Sequence, residues 1–374
     1  MSHDHLGLFD TPPTRNEFRL GILIVGALVG SIVLILPFHD VALREFSAYV
    51  PAINSLTLFS ELIIAFLLYA QASLFRSRSL VILASAYVFT GLLLIPHALT
   101  FPGAFSHEGL LGAGVNSTAW LAAVRRIAFP VAVTVYILVR RFAPPSRQDA
   151  EQPGRSIAQG AIAATVSAAA VTALATVGHD LLPPFFVDRS RVIQSTLVMM
   201  NVLVIALTAV PIVMLVRRCS SLLDLWLLVA LAAWLIQAVL NMPLTARFTL
   251  GWYALFAMIF LSSFTVMGAL VAESNRVYAR LALSSAARQR EREDRLLSMD
   301  VLAGGLSHEV GQPLSAVMLN VSAGLNWLDR PKPNVAKAID SPQIAAEAGQ
   351  RTFDVIKSVR TSAGEMPGKS IEFD

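Results

Sequence analysis

Charge is what this sequence has least of. Only 14% of its 374 residues are Asp, Glu, Lys or Arg, while 55% are hydrophobic and the mean hydropathy is +0.63. Soluble domains carry roughly a quarter charged residues, so that class is excluded and a multi-span membrane protein with a polar tail remains. Lysine is absent before Lys332, so the net charge of +4 and the pI near 9.4 come mostly from arginine. The arginine placement speaks of membrane orientation, not of nucleic-acid binding. A single cysteine, Cys219, excludes an intramolecular disulfide and any cysteine-based metal cluster. Beside Arg217 and Arg218 it reads as a reduced thiol on the cytoplasmic side. Neither a P-loop nor a Rossmann glycine pattern occurs.

Long apolar runs, in contrast, are abundant. Crossing a hydrocarbon core of roughly 30 Å takes about 20 helical residues. Segments that meet this requirement lie near 18–38, 50–71, 79–101, 118–139, 156–178, 192–216, 221–243 and 251–273. The first is too long for a cleavable signal peptide, has no small-residue cleavage site after Pro37, and is followed by further spans. Arg15, Arg19, Arg76, Arg78, Arg140, Arg141, Arg147, Arg155, Arg217, Arg218, Arg276 and Arg280 all fall in alternate connections. The opposite connections hold only Arg44, Arg189, Arg191 and Arg247. Because cationic connections stay inside, both termini are expected to be cytoplasmic, in a bacterial inner membrane. The outward connections are short, so a stimulus has to act within the spans, in a shallow outer crevice or through the lipid bilayer.

Polar side chains at membrane depth are costly and invite a functional explanation. Glu61, His97, Arg125, Arg126, Asn201, Gln237 and Asn241 are such residues. Glu61 with Arg125 or His97 can form an internal ion pair, and the three are the candidate sensor or ligand site. His97 sits in Ile95-Pro96-His97-Ala98-Leu99-Thr100-Phe101-Pro102-Gly103, where proline is expected to break a span near its outer end. Asn201, Gln237 and Asn241 fit the plainer task of bridging helices. Phe66-Leu67-Leu68-Tyr69-Ala70-Gln71, Tyr87, the turn from Pro96-His97 to Phe105, Trp120-Leu121 and Gly251-Trp252-Tyr253 together resemble a membrane-associated sensor domain of the MASE type, its fourth class, over residues 18–275. That resemblance implies a histidine kinase or diguanylate cyclase output. The Gly-Gly-Asp/Glu-Glu-Phe signature of a cyclase does not occur.

Beyond the last span no proline or glycine intervenes between Glu273 and Gly304, so residues 276–298 are expected to be a helical signal linker with a charged, solvated face. Residues 299–364 then carry a second chemistry. Apolar residues recur at Met299, Leu302, Leu306, Val310, Leu314, Val317, Val321, Leu325 and Leu328, in steps of three or four that trace one stripe of a helix. His308 lies two positions, roughly 200°, from Leu306 and points away from that stripe. A neutral imidazole is a nitrogen nucleophile at cytoplasmic pH, and the adjacent Glu309 is placed to take its ring proton. Pro313 cannot donate to the carbonyl of Glu309 and crowds it, which softens the helix one turn beyond the histidine.

The run Leu306-Ser307-His308-Glu309-Val310-Gly311-Gln312-Pro313-Leu314 resembles the phosphoacceptor box of sensor histidine kinases, of the HisKA type. The resemblance implies His308 as phosphoacceptor, Glu309 as general base and Gln312 in phosphate removal. Close relatives with the Gln-Pro form usually carry Asn at the position of Gly311, where this chain departs. After Asp329 the chain breaks at Pro331 and Pro333 and resumes a helical pattern through Ile344, Ala348, Val355, Ile356 and Val359. One such hairpin has too small a core to stand alone, so two are expected to dimerise into a four-helix bundle. The family's ATP-binding domain needs an Asn-rich helix for Mg2+ and glycine-rich loops, and nothing after Gly364 supplies them. The tail 365–374 lies about where that domain would begin, so a truncated product, or one served by a separate catalytic protein, is expected.

The whole reads as all-α. A cytoplasmic tail, 1–17, precedes a polytopic bundle of about eight spans, which leads to a cytoplasmic helical hairpin. The function expected is that of a membrane-bound sensor histidine kinase acting as a homodimer on a response regulator, with ATP and Mg2+ only through another catalytic domain, and with no metal or nucleic-acid partner. A polytopic transporter or channel with a helical cytoplasmic tail is the alternative.

Overall fold

The computed structural model describes residues 12–142, 153–188 and 191–364. Arg147, Arg189 and the tail 365–374 lie outside them, as do the side chains of Arg280, Met299, Leu302, Leu306, Ser307 and Val359. Among the described residues the protein is helical, without a strand. The helices are α1 (Arg15–Ile35), α2 (Tyr49–Phe75), α3 (Arg78–Leu92), α4 (Leu94–Leu99), α5 (Ser117–Phe142), α6 (Pro153–Thr176), α7 (Gln194–Arg217), α8 (Leu222–Asn241), α9 (Leu250–Leu328) and α10 (Val335–Gly364). Eight helical segments among the described residues are long and apolar enough to cross a bilayer: Arg15–Phe38, Tyr49–Phe75, Arg78–Leu99, Ser117–Phe142, Gly154–Thr176, Gln194–Arg217, Leu222–Asn241 and Leu250–Leu297. The fold is an all-α polytopic membrane bundle. The chain divides into two compact units, Met1–Ala279 and Arg280–Asp374.

Local chemistry sets several helix ends. Thr14 Oγ1 accepts from the Glu17 backbone N–H at 3.3 Å, and Glu17 Oε2 accepts from the Thr14 N–H at 2.9 Å, a reciprocal cap for α1. Ser221 and Asp224 start α8 in the same way. The third span is broken at Leu93, between α3 and α4. Pro96 lacks an N–H and its ring crowds the carbonyl four residues back, that of Leu92, which puts the break one turn before the proline.

In the first unit α8 is the most enclosed span. Leu227, Leu231, Ala238 and Leu240 are fully buried, and Trp234 stacks on Phe129 of α5 at 5.1 Å with an interplanar angle of 18°. Outer spans leave Leu23, Leu34 and Val166 uncovered, the apolar faces that a lipid environment requires. α6 comes close to α3 at Gly160, where an added Cβ would lie 2.4 Å from Ser85 Oγ. At one end of the bundle the connections are stitched by backbone bonds. Leu43 N–H donates to Phe248 O at 2.9 Å, Leu250 N–H to Val41 O at 2.9 Å, Val192 N–H to Thr245 O at 3.2 Å and Ile193 N–H to Phe185 O at 2.7 Å. At the other, Arg140 Nη1 donates to Asp224 Oδ1 at 2.8 Å and reaches Tyr136 OH at 3.2 Å and Ser221 Oγ at 3.3 Å.

The second unit is an antiparallel hairpin. Asn334 caps α10 by accepting from the Lys337 N–H at 3.2 Å, and its own N–H donates to Trp327 O at 3.1 Å. The Trp327 ring is covered by Arg330 at 3.7 Å and Lys337 at 4.7 Å. Ala338, Ser341, Ala345, Ala348 and Thr352 of α10 are its buried residues, spaced by three and four. Opposite them, Gly324 of α9 would bring an added Cβ within 3.2 Å of Ser341 Cβ. Small residues thus form the seam inside one chain. The large apolar side chains point elsewhere, with Leu325 64% and Phe353 62% exposed.

Candidate functional site

Two places carry chemistry. The first is a cavity of about 160 Å³ within the membrane unit. His97, Arg125, Arg126, Asn201, Gln237 and Arg247 supply most of its polar lining, and its walls are otherwise mainly apolar. Arg125 of α5, 5% exposed, donates through Nη2 to Oε1 of Glu61 on α2, itself 2% exposed. Glu61 Oε2 also accepts from Thr90 Oγ1 of α3 at 2.8 Å, so one carboxylate joins three helices. The Arg125 guanidinium lies 5.2 Å from the centre of the Trp234 ring. A buried charge pair is tolerated when further hydrogen bonds and cation–π contact replace lost water.

His97 does not join that pair. Its Nδ1 lies 2.7 Å from Nδ2 of Asn54, the amide nitrogen donating, and Asn54 sits two helical turns before Glu61 on the same face of α2. Asn241 Nδ2 donates to Asn201 Oδ1 at 3.2 Å and so bridges α7 and α8. The cavity therefore brings His97 and Arg125 to one space and leaves Glu61 behind Arg125 as its counter-ion.

Arg126 and Arg247 stand without a carboxylate among the described residues. Two of the three guanidinium nitrogens of Arg126, Nε and Nη2, are enclosed with no hydrogen-bond partner. Arg247, from the connection between α8 and α9, is 7% exposed and packs over Phe186 at 4.0 Å and Phe101 at 5.5 Å. Burial pushes its guanidinium down to about 10, which leaves it charged at neutral pH. Asn54, Thr90 and Asp224 do not stand out in the sequence, and Arg247 stands out there only as a charge in an outward connection. The seven-residue spacing of Asn54 and Glu61 and the Ser-x-x-Asp cap before α8 were signals for the first and third. The enclosure of Arg247 by Phe101 and Phe186 depends on tertiary packing and leaves no local signature.

The second place is the exposed face of α9 in the hairpin unit. His308, Glu309 and Gln312 are all exposed, and Gln312 Nε2 donates to His308 Nε2 at 3.2 Å across one helical turn. Among the described residues no hydrogen bond joins Glu309 to His308. Pro313 lies within the helix, Val310 is half-buried and Leu314 is exposed. No group of three or more His, Cys, Asp or Glu side chains able to hold a metal ion occurs among the described residues.

The profile of a family of membrane-associated sensors, an integral membrane domain, matches residues 44–278, more than half of the chain. The chain belongs to this family, MASE4. The MASE4 region takes in α2 to α8 and the start of α9, and with them the cavity, the Glu61–Arg125 pair and Arg247. A shorter similarity is to the sensor histidine kinase TmoS of Ectopseudomonas mendocina, 34% identical over 67 residues. It covers 18% of this chain and 7% of that relative, so the chain spans only a small part of the curated relative it matches. No solved structure matches this MASE4 protein.

Proposed function

We propose that this protein is a multi-pass membrane sensor whose output is phosphorylation of His308 in a homodimer, followed by relay to the receiver domain of a response regulator. The observation that carries the reading is the exposed His308 imidazole beside Glu309, with Gln312 one turn on, on the helix that continues from the MASE4 bundle. The likeness to a sensor histidine kinase supports it. In this reading the proposed domains are a membrane sensor, 18–275, a helical linker, 276–298, and a dimerisation and phosphoacceptor hairpin, 299–364. Both termini face the cytoplasm of a bacterial cell.

His308 acts as the nucleophile through its unprotonated ring nitrogen; as the nitrogen–phosphorus bond forms, the bond from the γ-phosphorus to the bridging oxygen of ATP breaks, ADP leaves, and Glu309 takes the proton from the other ring nitrogen. Gln312 has to swing off the nitrogen it now touches, and from there it can act in phosphate removal. In this reading ATP and Mg2+ belong to a catalytic domain supplied separately or by further sequence. The uncovered apolar face of the hairpin, with Leu314, Leu325, Ile339 and Phe353, is matched to a second copy of itself, because apolar area of this kind on a solvated hairpin calls for cover.

The test supplies the full chain with a histidine-kinase catalytic domain and magnesium ATP. Wild type is expected to gain phosphate and Glu309→Ala to gain it about 10²-fold more slowly. Equal rates would remove the base role, and a wild type that accepts no phosphate would remove the reading. A transporter is the second reading, favoured by the buried Glu61–Arg125 pair beside a cavity. Solute flux into liposomes would support it.

A further inference from the structure

We infer that the cavity of the MASE4 bundle binds a small organic anion, a carboxylate on an apolar body about the size of a benzene ring, held by Arg126 and Arg247. This goes beyond the phosphoacceptor reading and does not depend on it.

Three arginines line the cavity and no Asp or Glu does, while Glu61 behind the wall neutralises only Arg125. Among the described residues Arg126 and Arg247 have no carboxylate partner, in a space with mainly apolar walls where buried cations normally pair or face water. Nε and Nη2 of Arg126 are enclosed without an acceptor, and a guanidinium edge with two such donors fits a carboxylate in bidentate fashion. Arg247 presents the complementary case. Its guanidinium carbon lies over the rings of Phe186 and Phe101, at 4.0 and 5.5 Å, and no hydrogen bond joins its N–H groups to a described residue. Contact with aromatic rings uses none of those N–H donors, which stay available to an anion.

A cavity of about 160 Å³ is close to the roughly 150 Å³ that holds one benzene molecule in an engineered protein cavity. Phe185, Trp252, Phe256 and Leu255 give it an apolar surround. A strongly hydrated dianion gains little from such walls, whereas an apolar body with one carboxylate uses both the walls and the two guanidinium groups. An anionic lipid headgroup shares the carboxylate's charge and is the other source of such a ligand.

Benzoate is the probe and benzamide its neutral counterpart, titrated by calorimetry into the full chain in detergent and again in nanodiscs. Saturable benzoate binding is expected, with no binding of benzamide. Arg126→Gln and Arg247→Gln are each expected to weaken benzoate about tenfold or more, and the corresponding lysine variants to recover part of the loss. Thermal unfolding of each variant without ligand is read first. The wild-type comparison of benzoate with benzamide decides the matter even if a variant fails to fold. The proposal is overturned if benzoate does not bind, if benzamide binds equally well, if inorganic phosphate competes as well as benzoate, or if folded glutamine variants bind unchanged. Benzoate should bind alike in phosphatidylcholine nanodiscs with and without phosphatidylglycerol. Phosphatidylglycerol that abolishes binding would assign the arginines to a lipid headgroup and also overturn the proposal. His308→Gln should bind benzoate as wild type does, so failure here and failure of the phosphoacceptor reading are separate findings.

Discussion

At the scale of single residues, the Glu61–Arg125 pair is where substitution has most to disturb. Removing one member of a buried ion pair leaves the other charge uncompensated, at a cost of about 3–5 kcal/mol, whereas removing both together costs less than the sum. Glu61→Gln should therefore lower the unfolding temperature markedly, and Glu61→Gln with Arg125→Met should recover part of the loss. Additive effects would show that the two side chains do not act as a pair. Cys219 offers a milder case. Burial, and next the Asp224 carboxylate, raise its thiol above the usual range, so little thiolate is present at neutral pH. Alkylation should be slow at pH 7, rise with pH, and be faster in Asp224→Asn. A rate at pH 7 equal to that of a free thiol would contradict this. Much at this scale was legible in the sequence, since Glu61, His97 and Arg125 stand out as polar residues within apolar runs. Which of them would pair was not, because His97 is taken by Asn54 from another helix.

At the scale of elements, the hairpin separates two kinds of contact. The seam within a chain is built from Gly324, Ala338, Ser341, Ala345 and Ala348, and an added Cβ at Gly324 would already lie 3.2 Å from Ser341 Cβ. Ala345→Leu should overpack it and destabilise the hairpin by about 1–3 kcal/mol. Leu325→Asp, on the uncovered face, should leave helix content unchanged and weaken self-association, read by light scattering of the full chain in detergent. Dimers of undiminished stability in Leu325→Asp would argue against this face as the contact. The helical periodicity, the break at Pro331 and Pro333 and the stripe through Leu314, Leu325 and Leu328 are visible in the sequence. The division of labour between small and large residues is not, because the stripe alone does not say which neighbour covers it. Likewise the broken third span was legible from Pro96, whose ring acts on the carbonyl one turn earlier and so moves the break to Leu93.

At the scale of the whole molecule, the sequence lengths and the structure agree on eight spans among the described residues, since hydrocarbon thickness fixes span length so tightly. The proposed orientation rests on arginine counts alone. With Cys219 replaced by serine, His107→Cys should label from outside intact cells and Arg218→Cys only after permeabilisation. The reverse pattern would invert the topology and move His308 away from ATP. The cavity was not legible at this scale, because Arg247 and Phe186 reach it from connections that the span pattern treats as spacers. Phosphate mapping on the full chain decides whether His308 is the phosphoacceptor proposed for this membrane sensor. Incubated with a histidine-kinase catalytic domain and magnesium ATP, the wild type should carry acid-labile, base-stable phosphate at His308, and His308→Gln should carry none. Labelling that survives His308→Gln, or phosphate mapped to another residue, would contradict the account.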